Sequence, residues 1–310
     1  MGANPQIWHE AGNDQTGEIM ELISDYMRDE EHRHLLNDLT RKTFGFDFES
    51  WVTQGYYEGE YIPYSLLDEG RIISNVSANR MRFIQNGTEK LYIQLGTVMT
   101  DEDCRNKGLA AQLIKHVVEE YEQKCDGIYL FGNLDALGFY QKMGFGNICE
   151  YRYSVKEEFC KGVGSNGSFR PVKSLGDEMI KKYLDTVRSC VDRSAFAQTN
   201  KYGLQMFYTA GLDNVFYAGD IDCFIVLDED DGAVLQSVLC KGDIRLADVL
   251  DRMEIAGGKC RLGFTPLHED LGLCNVEKYD GADDYRLFYR GEKLRSIEQE
   301  RLYFPELSHA

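Results

Sequence analysis

The chain has 310 residues, 43% of them hydrophobic, which is enough apolar material for real cores and argues against disorder throughout; the length favours two domains. Its 34 basic residues face 52 acidic ones, and the net charge of −18 repels nucleic acid and anionic membrane while aiding solubility; the same field could steer cationic amines. No apolar run approaches membrane-spanning length, and nine cysteines without a C-x-x-C pair or zinc-like cluster fit reduced thiols, no metal and a cytoplasmic protein.

The opening, Met1-Gly-Ala-Asn-Pro-Gln-Ile-Trp-His, has no basic segment followed by an apolar core, so no signal peptide is expected. Residues from about Gly17 to Thr43 read as two helices, with Ile19, Leu22, Ile23 and Tyr26 on one apolar face and Leu35, Leu36 and Leu39 on a second. Gly45 ends the second. His32 and His34 stand two apart on a helix, where their rings diverge, so a solvated face is expected and not a metal pair. Phe44, Phe46, Phe48, Trp51, Tyr56 and Tyr57 make an aromatic-rich loop that is either ordinary core or the wall of a binding site.

Three strands follow, Tyr61–Leu67, Arg71–Phe83 and Leu91–Thr100, with turns at Asp68-Glu-Gly70 and at Asn86-Gly87, a strong hairpin signal. After the acidic turn Asp101-Glu-Asp-Cys104 and the segment Arg105-Asn-Lys-Gly108-Leu-Ala110, a helix carries Leu109, Leu113, Val117 and Tyr121 at helical spacing, widened by Ile114 and Val118. A strand at Gly127–Phe131, then Asn133, a compact helix through Tyr140 to Phe145, and a closing strand at Glu150–Val155 complete a mixed α/β layer.

Lys161-Gly-Val-Gly-Ser-Asn-Gly-Ser168 is the clearest linker. Beyond it we expect a helix over Leu175–Val191, short strands at Met206–Tyr208 and Val215–Tyr217, and a hairpin pairing Ile221–Leu227 with Ala233–Leu239. A helix at Leu246–Met253 and strands at Lys259–Phe264 and Tyr285–Arg290 follow.

One junction carries a chemical implication. N–H groups in the first turn of a helix have no internal partner and sit at the positive end of its dipole, so the end of the strand at Thr100 feeds a ready anion site. Gly108 lets a diphosphate approach the backbone, Ala110 and Ala111 keep the next turn clear, and Arg105 and Lys107 add positive charge. A nucleotide P-loop would need a longer glycine loop with a Lys-Ser/Thr pair, and a dinucleotide fingerprint three glycines; neither is present.

Arg-x-x-Gly-x-Ala after such a strand resembles the Arg/Gln-x-x-Gly-x-Gly/Ala signature of the GNAT superfamily of N-acetyltransferases. The rest of that layout follows in order: Asn133 stands seven residues before Tyr140, within Ala136-Leu-Gly-Phe-Tyr140-Gln-Lys-Met-Gly-Phe145. The resemblance is specific over Leu91–Phe145 and looser from about Ile62 to Tyr153. It implies an α/β (α+β) fold of the GNAT type, a mixed central sheet flanked by helices, and acetyl-coenzyme A as cosubstrate without a metal. Arg105, Asn106, Lys107, Gly108, Leu109, Ala110 and Ala111 would cradle the diphosphate, and Asn133 would lie near the coenzyme. Val98, Met99 and Thr100 would offer main-chain groups to the pantetheine arm and the thioester oxygen, and Tyr140 would protonate the leaving thiolate. An amine is the implied partner, of a small molecule or a peptide, and a homodimer is left open.

No general base is named by these motifs. Asp101 and Glu102 read as a solvated turn, and the tail, Tyr303-Phe-Pro-Glu-Leu-Ser-His309-Ala310, has apolar residues suited to docking a terminal carboxylate, as in the enhanced-intracellular-survival type of GNAT protein; a chain of waters would need no residue.

The second half repeats the element order of the first, resembling tandem GNAT proteins with one active and one silent lobe. The expected division is a catalytic domain over 1–160, a linker over 161–169 and a smaller, degenerate GNAT-like lobe over 170–310. At the counterpart of the diphosphate segment, Cys240-Lys-Gly242-Asp243-Ile-Arg245 places acid and bulk where an anion needs room, so no second catalytic site is expected. The competing reading is a non-catalytic acyl-coenzyme A-binding regulatory module, against which the intact Tyr140 argues.

Overall fold

Two mixed sheets with helices packed on them organise the chain in a computed structural model that describes residues 6–8, 20–160, 168–230 and 232–310. In the first half the elements are β1 (Gln6–Trp8), β2 (Met20–Ser24), α1 (Glu30–Phe44), α2 (Glu49–Thr53), β3 (Tyr61–Asp68), β4 (Arg71–Gln85), β5 (Thr88–Thr100), α3 (Leu109–Tyr121), β6 (Gly127–Gly132), α4 (Leu137–Lys142), β7 (Gly146–Ile148) and β8 (Glu150–Val155). The second half adds β9 (Arg170–Pro171), α5 (Asp177–Ser189), β10 (Phe196–Gln198), α6 (Tyr202–Thr209), β11 (Val215–Ala218), β12 (Cys223–Asp228), β13 (Ala233–Cys240), α7 (Leu246–Leu250), β14 (Cys260–Leu262), β15 (Cys274–Tyr279), β16 (Arg286–Arg290) and α8 (Ser296–Gln299).

Among the described residues, one sheet runs β1-β2-β3-β4-β5-β6-β16-β7, with β10 paired to the end of β4, and the other runs β15-β8-β14-β13-β12-β11-β9. The halves therefore exchange strands. β16 lies between β6 and β7, where Leu287 and Phe288 are both buried, on opposite faces of the strand. The strand Glu150–Val155, expected to close the first sheet, belongs to the second instead. Tyr153 and Val155 bury there among Ile225, Leu235 and Leu262, and the strand pairs with β14 and β15.

Local chemistry explains most element ends. Asp29 caps α1 by accepting the His32 N–H at 3.0 Å, and Gly45 ends it with φ of 80°. The Asn86-Gly87 turn takes φ of 50° and 72°, both left-handed, as a tight hairpin requires. α3 buries Leu109, Leu113, Ile114, Val117 and Val118 against β3, β4 and β5. His32 and His34 reach separate acids, Asp29 and Glu49, on the flanks of α1.

Two local expectations are corrected, and one strand was not anticipated. Met20–Ser24 is a strand, not a helix: Leu22 enters the core under α3 while Ile23 enters the aromatic core around Trp51, two faces that one helical stripe could not serve. Residues 17–19, the start of that expected helix, and 161–167, most of the expected linker, lie outside the described residues. Met206–Tyr208 belongs to helix α6, whose buried Tyr202, Gln205, Met206 and Thr209 share a helical face. Cys274–Tyr279, which carries no hairpin signal, is an unanticipated edge strand.

Candidate active site

β5 and β6 run parallel and pair only from Tyr92 opposite Gly127 to Gln94 opposite Tyr129. β5 continues to Thr100 and β6 to Gly132, so their ends diverge and open a cleft of about 450 Å³. Leu95 to Val98 line one arm, Leu130 and Phe131 the other, and Asn133, Phe139 and Tyr140 lie beyond β6.

The arm on β5 is distorted. Asn75 pairs with Met99 and Ser77 with Gly96, so Val76 faces both Thr97 and Val98, a β-bulge. Thr97 takes φ of 39°, unusual for a β-branched residue. Buried polar groups hold it there. The Asn75 amide donates to the Thr97 carbonyl at 2.9 Å, and the Thr97 hydroxyl lies 2.7 Å from the Tyr61 hydroxyl and 2.9 Å from Ser77 Oγ. Behind them, Ser65 donates to Asn75 at 2.7 Å. The Met99 side chain turns away into the aromatic core, and the Thr100 hydroxyl sits 3.0 Å from Ser74 Oγ.

Past Thr100 the chain makes the turn that starts α3. Asp101 is nearly buried, receives the Lys42 ammonium at 2.9 Å and accepts the Asp103 N–H; the Lys42 contact is the first cause holding its carboxyl below the usual range. It is a structural turn residue. Asn106 and Gly108 take φ of 64° and 78°, and the first helical bond runs from Gln112 N–H to the Gly108 carbonyl. The N–H groups of Leu109, Ala110 and Ala111 therefore start the helix without an intrahelical acceptor. A Cβ built on Gly108 would meet nothing within 4 Å, so the space over this turn is open. Arg105 and Lys107 are exposed, and Arg105 makes only long contacts, 3.4 Å to the Thr100 carbonyl and 3.8 Å to Glu102. The segment Arg105–Ala111 lies beyond the cleft lining, past the end of β5.

Tyr140 is buried among Phe139, Phe145 and Phe288 and lies against Gly132, where a Cβ would come within 2.8 Å of its ring. Burial pushes its phenol up to about 12, so it stays protonated at neutral pH. Phe288, from the exchanged strand β16, supplies part of this packing.

The tail enters the cleft. A Cβ on Gly96 would lie 2.5 Å from the Ala310 carbonyl oxygen, the Tyr208 hydroxyl donates to the His309 carbonyl at 2.5 Å, and the His309 ring stacks on Phe131 at 3.8 Å. Burial lowers His309 to about 4, which keeps it neutral, and its Nε2 has no protein partner among the described residues. Upstream, Phe304 N–H donates to buried Glu150 at 2.9 Å, and Glu306 N–H donates to the Gly263 carbonyl at 2.9 Å. Pro305, Leu307 and Ser308 border a small pocket together with Gln236 of β13 and Phe264 just past β14. The segment expected to lack an anion site ends at Arg245, which forks onto Asp248 at 2.7 and 2.9 Å.

Thr97, Tyr208, His309 and Ala310 also border a second, smaller cavity of about 60 Å³. Phe46, Phe48 and Trp51 from the aromatic loop form one wall, and Leu204 and Phe207 on α6 form another. Phe48 and Trp51 are core and cavity wall at once; Trp51 is fixed by its indole N–H to the Gly203 carbonyl at 2.7 Å. Tyr57 is buried, away from this lining. Of the residues expected to act on the coenzyme, Val98, Asn133 and Tyr140 thus share the cleft. Thr97, Leu204, Phe207 and Tyr208 were missed; the α6 residues carry no motif, and only the helical spacing of Tyr202, Met206 and Thr209 could have placed them on a helix.

Residues 18–145 match the family model described as the acetyltransferase (GNAT) family. Among curated proteins, no sequence matches the chain. Three solved structures share the fold at 13% identity. A conserved Enterococcus faecalis V583 protein of unknown function, named as a probable N-acyltransferase, superposes with a TM-score of 0.54 over 90% of this chain and 74% of its own. A GCN5-related N-acetyltransferase from Kribbella flavida gives 0.52 over 89% and 72%, and Eis1 from Mycobacterium abscessus 0.51 over 83% and 70%.

Proposed function

Since residues 18–145 match the family model of the GNAT acetyltransferases, we propose that the chain transfers the acetyl group of acetyl-coenzyme A to a primary amine of a small molecule or peptide. The observation that carries this reading is the splayed β5–β6 cleft, with the protonated Tyr140 in its lining and the open helix start at Gly108 past the end of β5.

In this reading the coenzyme supplies the activated acyl group, and the chain supplies position and protons. The free N–H groups of Leu109, Ala110 and Ala111, with Arg105, Asn106, Lys107 and Gly108, hold the diphosphate at the positive end of α3. Main-chain groups of Val98, Met99 and Thr100 hold the pantetheine arm, and a bulge N–H near Val98 donates to the thioester oxygen as it gains charge. Asn133 borders the same arm. Tyr140 gives its proton to the departing sulfur as the C–N bond replaces the C–S bond, and the proton the amine loses, carried by water, restores the phenol; burial keeps the proton on the phenol until it is needed.

The two-lobe reading belongs to the same proposal, with 1–160 catalytic, 161–169 linking and 170–310 a degenerate copy. It is supported by β13, α7 and β14, which repeat the order of β5, α3 and β6 with the same parallel pairing. The test is calorimetric titration with coenzyme A, followed by co-crystallisation. Support requires the diphosphate on the first turn of α3 and the sulfur beside Tyr140; a coenzyme bound elsewhere, or none bound, would overturn the proposal.

A further inference from the structure

The core of the second sheet holds a pair of thiols that acyl transfer does not use. We infer that Cys223 and Cys240 are a redox couple, closed to a cross-strand disulfide by small-molecule disulfides that react first at Cys240. The two are partners in register, the first residue of β12 opposite the last of β13. They share one face: Cys223 is fully buried with Ile225, Leu235 and Val238, and Cys240, partly buried, packs on the same core. Their neighbours Phe224 and Leu239 turn to the opposite face, into the core around Tyr183. Directly opposite residues of an antiparallel pair have Cα atoms about 4.5 or 5.5 Å apart, and a disulfide accepts about 4.4 to 6.8 Å, so the bond can close within the spacing of the ladder.

The surroundings give the two sulfurs different roles. The Cys223 thiol is the first cause lowering Cys240, helped by the Arg193 charge and the Ile244 N–H and opposed by burial and Asp243. Arg193 is fixed by Asp270 at 2.8 Å and by its own N–H on the Val238 carbonyl at 3.2 Å, while its Nε has no partner among the described residues. Cys240 is therefore the attacking thiolate, and Cys223, which the same contact raises, is the resolving thiol. Burial is the first cause raising Cys125, Cys149, Cys160, Cys260 and Cys274, which leaves less thiolate on each of them.

The oxidant is a disulfide, RSSR. The Cys240 sulfur bonds to one of its sulfurs, the S–S bond breaks, and the departing RS⁻ takes up the proton that Cys240 gave to water. Cys223 then bonds to the Cys240 sulfur of the mixed disulfide, and its proton goes to the second RS⁻ as that leaves. Two protein thiols are oxidised, and one RSSR is reduced to two RSH.

Glutathione disulfide tests this on the full, folded chain, with acid quenching, alkylation of free thiols and mass mapping. Cys223 and Cys240 should become joined at least about 10-fold faster than any of the other seven cysteines is modified, and reduced glutathione should restore both thiols. Cys223→Ala should accumulate glutathione on Cys240, and Cys240→Ala should leave Cys223 a free thiol. The first two readouts use the parent protein, so they stand even where a variant fails to fold. Cys223 and Cys240 staying reduced, Cys240 joined to a different cysteine, or a folded Cys223→Ala protein that takes up no glutathione at Cys240 would overturn the inference.

Discussion

The side-chain amide of Asn75 donates a 2.9 Å hydrogen bond to the carbonyl of Thr97, joining β4 to the one residue of β5 whose backbone is left-handed at the cleft. Asn75 is fully buried and itself receives the Ser65 hydroxyl, so the bulge is fixed from behind by a closed polar network. Asn75→Ala should cost about 1–3 kcal/mol of stability by stranding its partners. If the bulge aims the thioester donor, kcat should fall about 10- to 100-fold with little change in coenzyme affinity. Denaturant unfolding and steady-state kinetics on one preparation check both; lost stability with an unchanged kcat would remove the bulge from the mechanism.

The start of α3 makes a separable prediction. Arg105 has only long protein contacts and is exposed, so Arg105→Ala should leave folding intact, raise the acetyl-coenzyme A KM about 10-fold and spare kcat, because the contact acts in ground and transition states alike. Gly108→Val is harsher. It forces a β-branched residue to φ of 78° and places its side chain in the open space over the turn, so coenzyme titration should show binding reduced well beyond the Arg105 variant.

Tyr140→Phe should lower kcat by about 10²- to 10⁴-fold, the usual worth of a positioned acid, while coenzyme affinity stays near that of the parent. The phenol is pushed up to about 12 by burial, so the parent should show no alkaline fall in kcat across the neutral and mildly alkaline range. A pH–rate profile with an acid limb lost near neutrality would assign the proton to another group.

Glu150 gives a stability prediction. It is buried, and burial raises its carboxyl from 4.5 to about 7 although Phe304 N–H and Tyr285 O–H both donate to it. Between those values the folded state keeps a proton that the unfolded chain releases, so stability declines as pH rises through the window and stays lower above it. Glu150→Gln removes the titration and keeps a hydrogen-bonding amide. The parent-minus-variant difference in unfolding free energy should therefore fall by about 3 kcal/mol on going from the lower to the upper value. A difference that does not vary with pH would show that Glu150 is not held protonated.

The first half of the chain was legible in the sequence wherever local chemistry decides structure. Asn86-Gly87 needs two left-handed residues, Gly45 ends α1, and Leu109, Leu113 and Val117 mark the buried stripe of α3. Strand pairing between distant segments was not legible. Nothing in Tyr285–Arg290 says that Phe288 will pack on Tyr140, and the alternation of Tyr151, Tyr153 and Val155 fits either sheet. Met20–Ser24 was misread because Leu22 and Ile23 serve two cores on opposite faces. The bulge at Thr97 escaped because its cause, Asn75, stands 22 residues away. The wall of the smaller cavity was half visible, as an aromatic loop; its other side lies on α6, where the expectation was a short strand at Met206–Tyr208.

The most direct test of the account is to incubate the protein with acetyl-coenzyme A and a panel of small primary amines and peptides, measuring free thiol and acetylated amine together. The account predicts equal amounts of both products, formed at a rate that collapses in Tyr140→Phe. Thiol release without acetylated amine, or acetylation at the same rate after that substitution, would contradict it.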